Sequence, residues 1–283
     1  MQPIDEREPA PRWSSGVSRA LDVTAAQPGQ AGFFFDFDGT LAPIQEDPET
    51  VRPAPGIVEP LARLATLVGR VAVVSARPVG FLRPHLATVR PVTLHGLYGL
   101  ETSRAGDDLI TDPDAEPWIP VIADLTARAR TELPAGVRVE FKRLSVALHF
   151  RAAPELAPQV EAWAAREAHR LGLRVQAGRM VVELKPPVQR DKGNVIADEI
   201  GDLTCAWYFG DDVADVAAFD ALTQREKAGD GFVGVRVAVA NHETGAAVSG
   251  AADLVLDSPH AVPALLAAIV AAIVGKDPGA RRA

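Results

Sequence analysis

Short unbroken apolar runs alternate along the chain with stretches whose apolar positions recur at helical spacing. Phe33-Phe34-Phe35, Val71 to Val74, Thr93-Leu94, Cys205 to Phe209 and Val233 to Val239 read as strands. A strand that is apolar at every position has both faces buried, as in a parallel sheet covered by helices on each side. Ile57, Leu61, Leu64 and Leu67 place one apolar face on a helix within Gly56 to Val68. Further helices are predicted after Pro78, after Asp191, near Asp212, over Glu243 to Ser249 and from Pro259 onward. This alternation predicts an α/β fold with a doubly wound, Rossmann-like parallel sheet.

The rhythm changes after about Gly106. A polar loop with Asp107, Asp108, Asp112 and Asp114 leads to a predicted helix from Pro117 to Leu133. Strands Val137 to Phe141 and Leu144 to Phe150 follow, joined by a basic turn at Lys142-Arg143, then a helix over Pro154 to Leu171 and strands Leu173 to Ala177 and Met180 to Leu184. Paired strands beside helices predict a separate α+β unit over residues 107–185, inserted into a core made of 31–106 and 186–283. Residues 1–30, rich in Pro, Ala, Ser, Gln and Gly without periodicity, are expected to form a loose tail.

Composition narrows the function classes. A chain of 283 residues, 47% apolar and 23% charged, suits a soluble globular protein of one large or two modest domains. The net charge of -8 gives no support to nucleic-acid binding, yet it leaves room for an anionic substrate at a locally cationic site. A single cysteine, Cys205, excludes an internal disulfide framework and a thiolate metal cluster; within its apolar run it is expected to be buried. Asp5, Glu6, Arg7 and Glu8 do not read as a secretory signal, and the apolar run Val262 to Val274 is shorter than a membrane span. A cytoplasmic protein with no membrane partner is expected; the sequence carries no signal for protein partners.

Ligands of a parallel sheet gather at the carboxyl ends of its strands. Four such ends are polar here: Asp36 and Asp38, Ser75 with Arg77, His95-Gly96, and Gly210-Asp211-Asp212. Asp36 and Asp38 would repel each other in a buried setting, and a turn at Gly39-Thr40 brings them to one point where a divalent cation would offset their charge. Lys192 opens the predicted helix after Asp191.

These residues resemble the motifs of the haloacid dehalogenase superfamily of phosphotransferases, over residues 33–275. Asp36-x-Asp38-Gly39-Thr40-Leu41 is similar to its first motif, Ser75 to its second, Lys192 to its third, and Gly210-Asp211-Asp212 with Asp215 to its fourth. Ala76 stands where glycine is common in that superfamily, and Val216 where an acidic residue often follows. The resemblance implies that Asp36 is the nucleophile, forming an aspartyl-phosphate, and that Asp38 is the acid and base. It also implies Mg²⁺ held by Asp36, the backbone carbonyl of Asp38 and Asp211, with Lys192 and Ser75 cradling the phosphate. Asp212 and Asp215 are expected behind the metal ligands, anchoring its waters or pairing with Lys192.

The insert falls between the second and third motifs, where this superfamily carries its larger cap. Val139 to Arg151 and Arg179 to Pro186 are similar to cap strands of trehalose-6-phosphate phosphatases, and His95-Gly96 to that family's third-strand end. The resemblance implies that Glu140, Lys142, Arg151, Arg179 and Glu183 hold sugar hydroxyls, with Arg77 and His95 on the core side of a small sugar phosphate. His149 and His169 lack a partner in the sequence and are expected to be structural. A related capped sugar phosphatase, a phosphosugar mutase and a catalytically silent sugar-phosphate sensor stay open as alternatives.

Overall fold

A computed structural model describes residues 14–45, 47–105, 107–178, 180–242 and 244–276. Strand β1 (Ala31–Phe35) is buried at all five positions. Successive side chains leave a strand on opposite faces, so a strand without a polar position must be covered twice. Phe33 and Phe35 pack into a cluster with α2 (Val58–Ala65), α3 (Val79–His85) and α9 (Val262–Lys276). Phe34 faces the other way, onto α6 (Lys192–Glu199) and α7 (Val213–Lys227).

Among the described residues the large sheet has eight strands. From β1 the chain passes through parallel neighbours β2 (Arg70–Val74) and β3 (Thr93–Gly96), then antiparallel β4 (Glu101–Arg104) and β5 (Ile110–Thr111). After the insert it returns to the opposite side of β1 with β10 (Cys205–Gly210), β11 (Val233–Val239) and β12 (Leu254–Leu256), all parallel. The strand order 12-11-10-1-2-3-4-5 therefore reverses direction at β1 and β10, and a crevice forms outside the carboxyl ends at such a point. Register places Phe33 beside Trp207 and Phe35 beside Phe209; their rings stack with centroids 5.7 and 4.7 Å apart.

Two boundaries differ from expectation. Because β5 pairs with β4, residues up to Thr111 belong to the core sheet, and the insert begins beyond the expected residue 107. Strand β4 is polar and β5 has only two residues, so neither carries an apolar run to announce it.

The expected tail of residues 1–30 is in part a helix. Helix α1 (Ser15–Ala26) is started by the Ser14 side chain, which accepts from Val17 N, and it buries Val17, Ala20, Thr24 and Ala25. Small residues carry little hydrophobic signal, so the helical period was hidden. Thr24 makes the docking specific. The fully buried Trp207 indole donates to Thr24 Oγ1 at 3.0 Å, and that hydroxyl donates to Cys205 Sγ at 3.4 Å. Trp13, a candidate anchor for the segment before α1, lies outside the described residues. At the other end, the helical stretch Pro259–Lys276 is long and apolar enough to cross a membrane, contrary to the expectation from Val262 to Val274. In the fold it is a core helix, burying Val262, Leu265, Leu266 and Ile269.

The insert has its own sheet, order β6 (Arg138–Phe141), β7 (Val146–His149), β9 (Val181–Lys185), β8 (Arg174–Gly178), antiparallel throughout. Val146, Leu148, Val182 and Leu184 face α4 (Ile119–Glu132) and α5 (Ala157–Leu171) and close a second core with Ile122 and Trp163. Alternation sends the intervening residues to the open face. Cross-strand pairing lines up Glu140, Ala147, Glu183 and Gln176 there in one row.

Replacing Thr24 by Val keeps the shape and removes the acceptor for the Trp207 indole. The cost of one buried unsatisfied donor is about 1–3 kcal/mol, read as a lowered guanidinium midpoint. An unchanged midpoint would mean that α1 docks without this bond.

Candidate active site

Asp36 N makes the last bond of the β1–β10 ladder, to Phe209 O at 2.8 Å. The Asp36 side chain therefore leaves β1 beside the end of β10, where Asp211 and Asp212 lead into α7. Two glycines permit the approach. Gly39 has φ +82, and a Cβ there would lie 2.0 Å from Asp211 Oδ2; a Cβ on Gly210 would lie 2.3 Å from Asp215 Cγ. Lys192 is the first residue of α6, whose start is held by a reciprocal capping box between Asp191 and Asn194.

These elements converge on one buried cluster. Lys192 Nζ donates to Asp36 Oδ1 at 2.7 Å and to Asp215 Oδ1 at 2.6 Å. Asp215 also accepts from Tyr208 Oη at 2.6 Å, from Asp211 N at 3.0 Å and from Asp212 N at 3.1 Å. Its four lone-pair positions are thereby used, which makes it a hub that sets the others. Asp211 accepts from Asn241 Nδ2 at 2.7 Å and from the more distant Thr40 Oγ1 at 3.4 Å.

The charge in this cluster does not balance. Oxygens of Asp36, Asp211 and Asp215 lie within 4.8 Å of one another, and Lys192 is the ammonium among them. Burial pushes the Asp36 carboxyl well up against the pull of Lys192, with Asp215 and Asp211 pushing further. Burial and Asp215 push Asp211 up to about 7. Burial draws Lys192 down, but Asp215 and Asp36 outweigh it and hold the ammonium charged. A second cation would relieve both aspartates, and an all-oxygen donor set suits a hard divalent ion. Asp36 and Asp211 retain accepting capacity for it.

Asp38 stands apart from this cluster. Its carboxylate is gripped bidentately by Arg77, Nε to Oδ2 at 2.9 Å and Nη2 to Oδ1 at 2.7 Å, with the guanidinium stacked 4.4 Å over the Phe81 ring. Any metal contact from Asp38 thus falls to its carbonyl. Ser75 is buried and its Oγ accepts from Arg77 N at 3.1 Å, shaping the loop that presents the guanidinium. Asp212 caps α7 by accepting from Ala214 N at 2.8 Å.

Between the open face of the insert and the core lies a cavity of about 440 Å³ that reaches Lys192 and is walled by Ser145, Glu183, Lys185, Arg174 and Gln176. Glu183 accepts from Ser145 Oγ at 2.6 Å and pairs with Lys142 at 3.5 Å and Lys185 at 3.6 Å. Burial raises its carboxyl, but these cations prevail and hold it below the usual range. Glu140 is likewise lowered, burial being outweighed by its 2.8 Å bond to His149 and by Lys142. His149 thus has the partner that its sequence neighbours did not reveal.

Glu140, Lys142 and Glu183 therefore share one face of the cap sheet, and of the three Glu183 lines the cavity. Arg151 sits in an exposed turn past β7 and away from the cavity walls. Arg179 lies outside the described residues. His95 turns into the core: Nδ1 contacts Thr102 Oγ1 at 3.2 Å and Nε2 lies 3.3 Å from Glu199 Oε1. A substrate contact is the wrong role for it, because its ring is occupied behind β3. Asn241, Tyr208, Lys185, Gln176 and Arg174 were missed. Asn241 follows the end of β11, so the strand-end rule applied to one more strand finds it; Gln176 and Arg174 needed the register of β8 with β9.

A doubly wound sheet with aspartates on adjacent strand ends, a helix-initial lysine and an inserted α+β cap defines a capped haloacid dehalogenase-like fold. Consistent with this, a solved trehalose-6-phosphate phosphatase related protein superposes with a TM-score of 0.73 at 22% identity, covering 87% of this chain and 100% of that one. The chain belongs to the trehalose-phosphatase family, whose profile matches residues 34–259. It is 36% identical over 263 residues to a trehalose-phosphate phosphatase of Mycolicibacterium paratuberculosis, with 88% of this chain covered. Against the trehalose-phosphate phosphatase of Mycobacterium leprae it is 34% identical, with 84% covered. The chain spans 65% and 56% of the lengths of these two relatives.

Gly39→Ala should push Asp211 aside and weaken divalent-cation binding about tenfold or more, since both the positive φ and the contact oppose a methyl group. Titration calorimetry reads this directly; unchanged affinity would remove Asp211 from the cation site. A pH effect follows from Glu199. Burial raises its carboxyl, but His95 and Arg104 outweigh that and lower it. Its stabilising contribution is complete above the unfolded value near about 4.3 and is lost as pH falls through the lower folded value. Between about pH 5 and pH 3, Glu199→Gln should therefore lose stability less steeply than the unsubstituted protein. Parallel urea midpoints over that range would show that no proton is linked here.

Proposed function

We propose that this chain is a Mg²⁺-dependent phosphatase that hydrolyses trehalose 6-phosphate to trehalose and phosphate through an aspartyl-phosphate on Asp36. The observation that carries the reading is the convergence of Asp36 and Asp211 with Lys192, which itself lines a cavity whose cap wall offers Glu183, Lys185, Arg174 and Gln176 to a sugar. Asp36, the carbonyl of Asp38 and Asp211 would hold Mg²⁺, which when bound supplies the positive charge that lets a carboxylate approach a phosphate dianion.

The remaining chemistry belongs to the chain. The free oxygen of Asp36 forms the bond to phosphorus as the bond to the sugar oxygen breaks. Lys192 and Ser75 face the phosphoryl oxygens and offset their charge. Asp38, held by Arg77 through one oxygen while the other carries the proton, gives that proton to the leaving sugar oxygen, then takes one from the water that cleaves the aspartyl-phosphate; such transfer contributes on the order of a hundred- to ten-thousand-fold. Glu140 and Glu183 accept from sugar hydroxyls while Lys142 donates to them, and Arg179 would add a further donor. Family membership and the named mycobacterial relatives support trehalose 6-phosphate as the sugar phosphate, and about 440 Å³ is ample for a small ligand.

Phosphate release from a panel of sugar phosphates, with and without Mg²⁺, tests this reading. Trehalose 6-phosphate should be turned over in preference to glucose 6-phosphate, only with Mg²⁺, and Asp36→Asn should abolish turnover. Equal rates on both sugars would sink the substrate assignment, retained activity in Asp36→Asn would refute the nucleophile, and inertness on every sugar would favour a sensor.

A further inference from the structure

The turn between β6 and β7 touches both halves of the molecule. Its outer residues, Lys142 and Ser145, reach Glu183 in the cavity. The two between them go the other way. Leu144 is buried against Leu97, Leu100 and Ala115. Arg143 Nη1 donates to Glu101 Oε1 at 3.1 Å and to Thr111 Oγ1 at 2.8 Å. Arg143 holds φ +65, a left-handed conformation that a non-glycine residue keeps only when its surroundings enforce it.

Glu101 is 1% exposed, and its other oxygen accepts from Val79 N at 2.9 Å. Val79 opens α3, two residues after Arg77. The same short loop is pressed from behind, with Leu97 N donating to Arg77 O at 3.0 Å and a Cβ on Gly96 coming within 2.5 Å of Val79 N. Arg77 in turn grips Asp38. Direct bonds thus run from the sugar-facing turn to the residue that handles the proton.

We propose that Arg143 and Glu101 are positioning residues that tie the seated cap turn to the loop orienting Asp38. This rests on the phosphatase reading. Losing Arg143 leaves a buried carboxylate without its cation; Glu101 must then draw in water, and its bond to Val79 N loosens. A misplacement of about 1 Å costs on the order of a hundredfold in rate. The cost falls on steps that need the Asp38 proton. A sugar oxygen leaves poorly without one, whereas p-nitrophenolate leaves without help.

The experiment uses Arg143→Ala, Arg143→Lys, Glu101→Gln and the Arg143→Ala/Glu101→Gln pair. Arg143→Ala should lower kcat on trehalose 6-phosphate about tenfold or more, with KM and the kcat/KM for p-nitrophenyl phosphate held within about twofold. Arg143→Lys should recover part of the loss. Glu101→Gln keeps an acceptor for Val79 N but not the charge; it should reproduce Arg143→Ala, and the double variant should be no slower than either. Equal loss on both substrates would mean general damage, a change confined to KM would mean a substrate contact, and multiplicative losses would mean independent residues. Any of these overturns the proposal. Thermal unfolding of the same proteins reads the pair without reference to activity, and additive Tm shifts would also overturn it. If the unsubstituted protein leaves trehalose 6-phosphate untouched, the substrate reading fails on its own. The pair is then judged on whichever sugar phosphate the panel identifies and on the Tm cycle.

Discussion

Lys192 sits buried between Asp36 and Asp215, and much of the structure exists to hold that arrangement. Three charged groups removed from water cost several kcal/mol each unless each is paired and hydrogen-bonded. Asp215 meets that demand by using every acceptor position, two on the ammonium and the Tyr208 hydroxyl and two on backbone N–H groups. What stays uncompensated is the negative charge of Asp36 and Asp211. Burial and the neighbouring carboxylates raise both groups, a penalty that a further cation would relieve.

The sheet supplies the rigidity this requires. Asp36 and Asp211 come from neighbouring parallel strands whose register is reinforced by stacked aromatic pairs. Lys192 comes from a helix pressed close to α7, where a Cβ on Gly193 would lie 2.7 Å from Ala217 O. Close packing of this kind leaves side chains few alternatives. Helix α1 belongs to the same logic, since Trp207 needs a partner for its buried indole and Thr24 provides it.

The cap divides its labour by strand alternation. One face of its sheet is a hydrocarbon core; the other carries Glu140, Lys142, Glu183, Lys185 and Gln176 toward the crevice. The β6–β7 turn breaks this rule by sending Arg143 and Leu144 into the core domain. The polar face of the cap sheet and the loop that holds Asp38 are thereby joined through a few short bonds.

Much of this was legible in the chain. Fully apolar runs announced the parallel strands, and polar residues at their ends announced Asp36, Ser75 and Asp211, because strand burial and strand-end crevices follow from local pattern. The polar strand β4, the two-residue β5 and the alanine-rich α1 were not legible, because their stability comes from neighbours and not from their own hydrophobicity. His95 illustrates the limit on the site: it stands at a strand end, yet Glu199 draws it into the core. The sequence by itself determined which chemical groups arrive at the carboxyl edge and how the cap strands alternate. Only the tertiary structure decided that Asp215 rather than Asp38 joins Asp36 around Lys192, that Arg77 takes Asp38, and that Arg143 finds Glu101. Those choices join residues 23 to 156 positions apart. Sheet order and packing set such distances, and no local spacing encodes them.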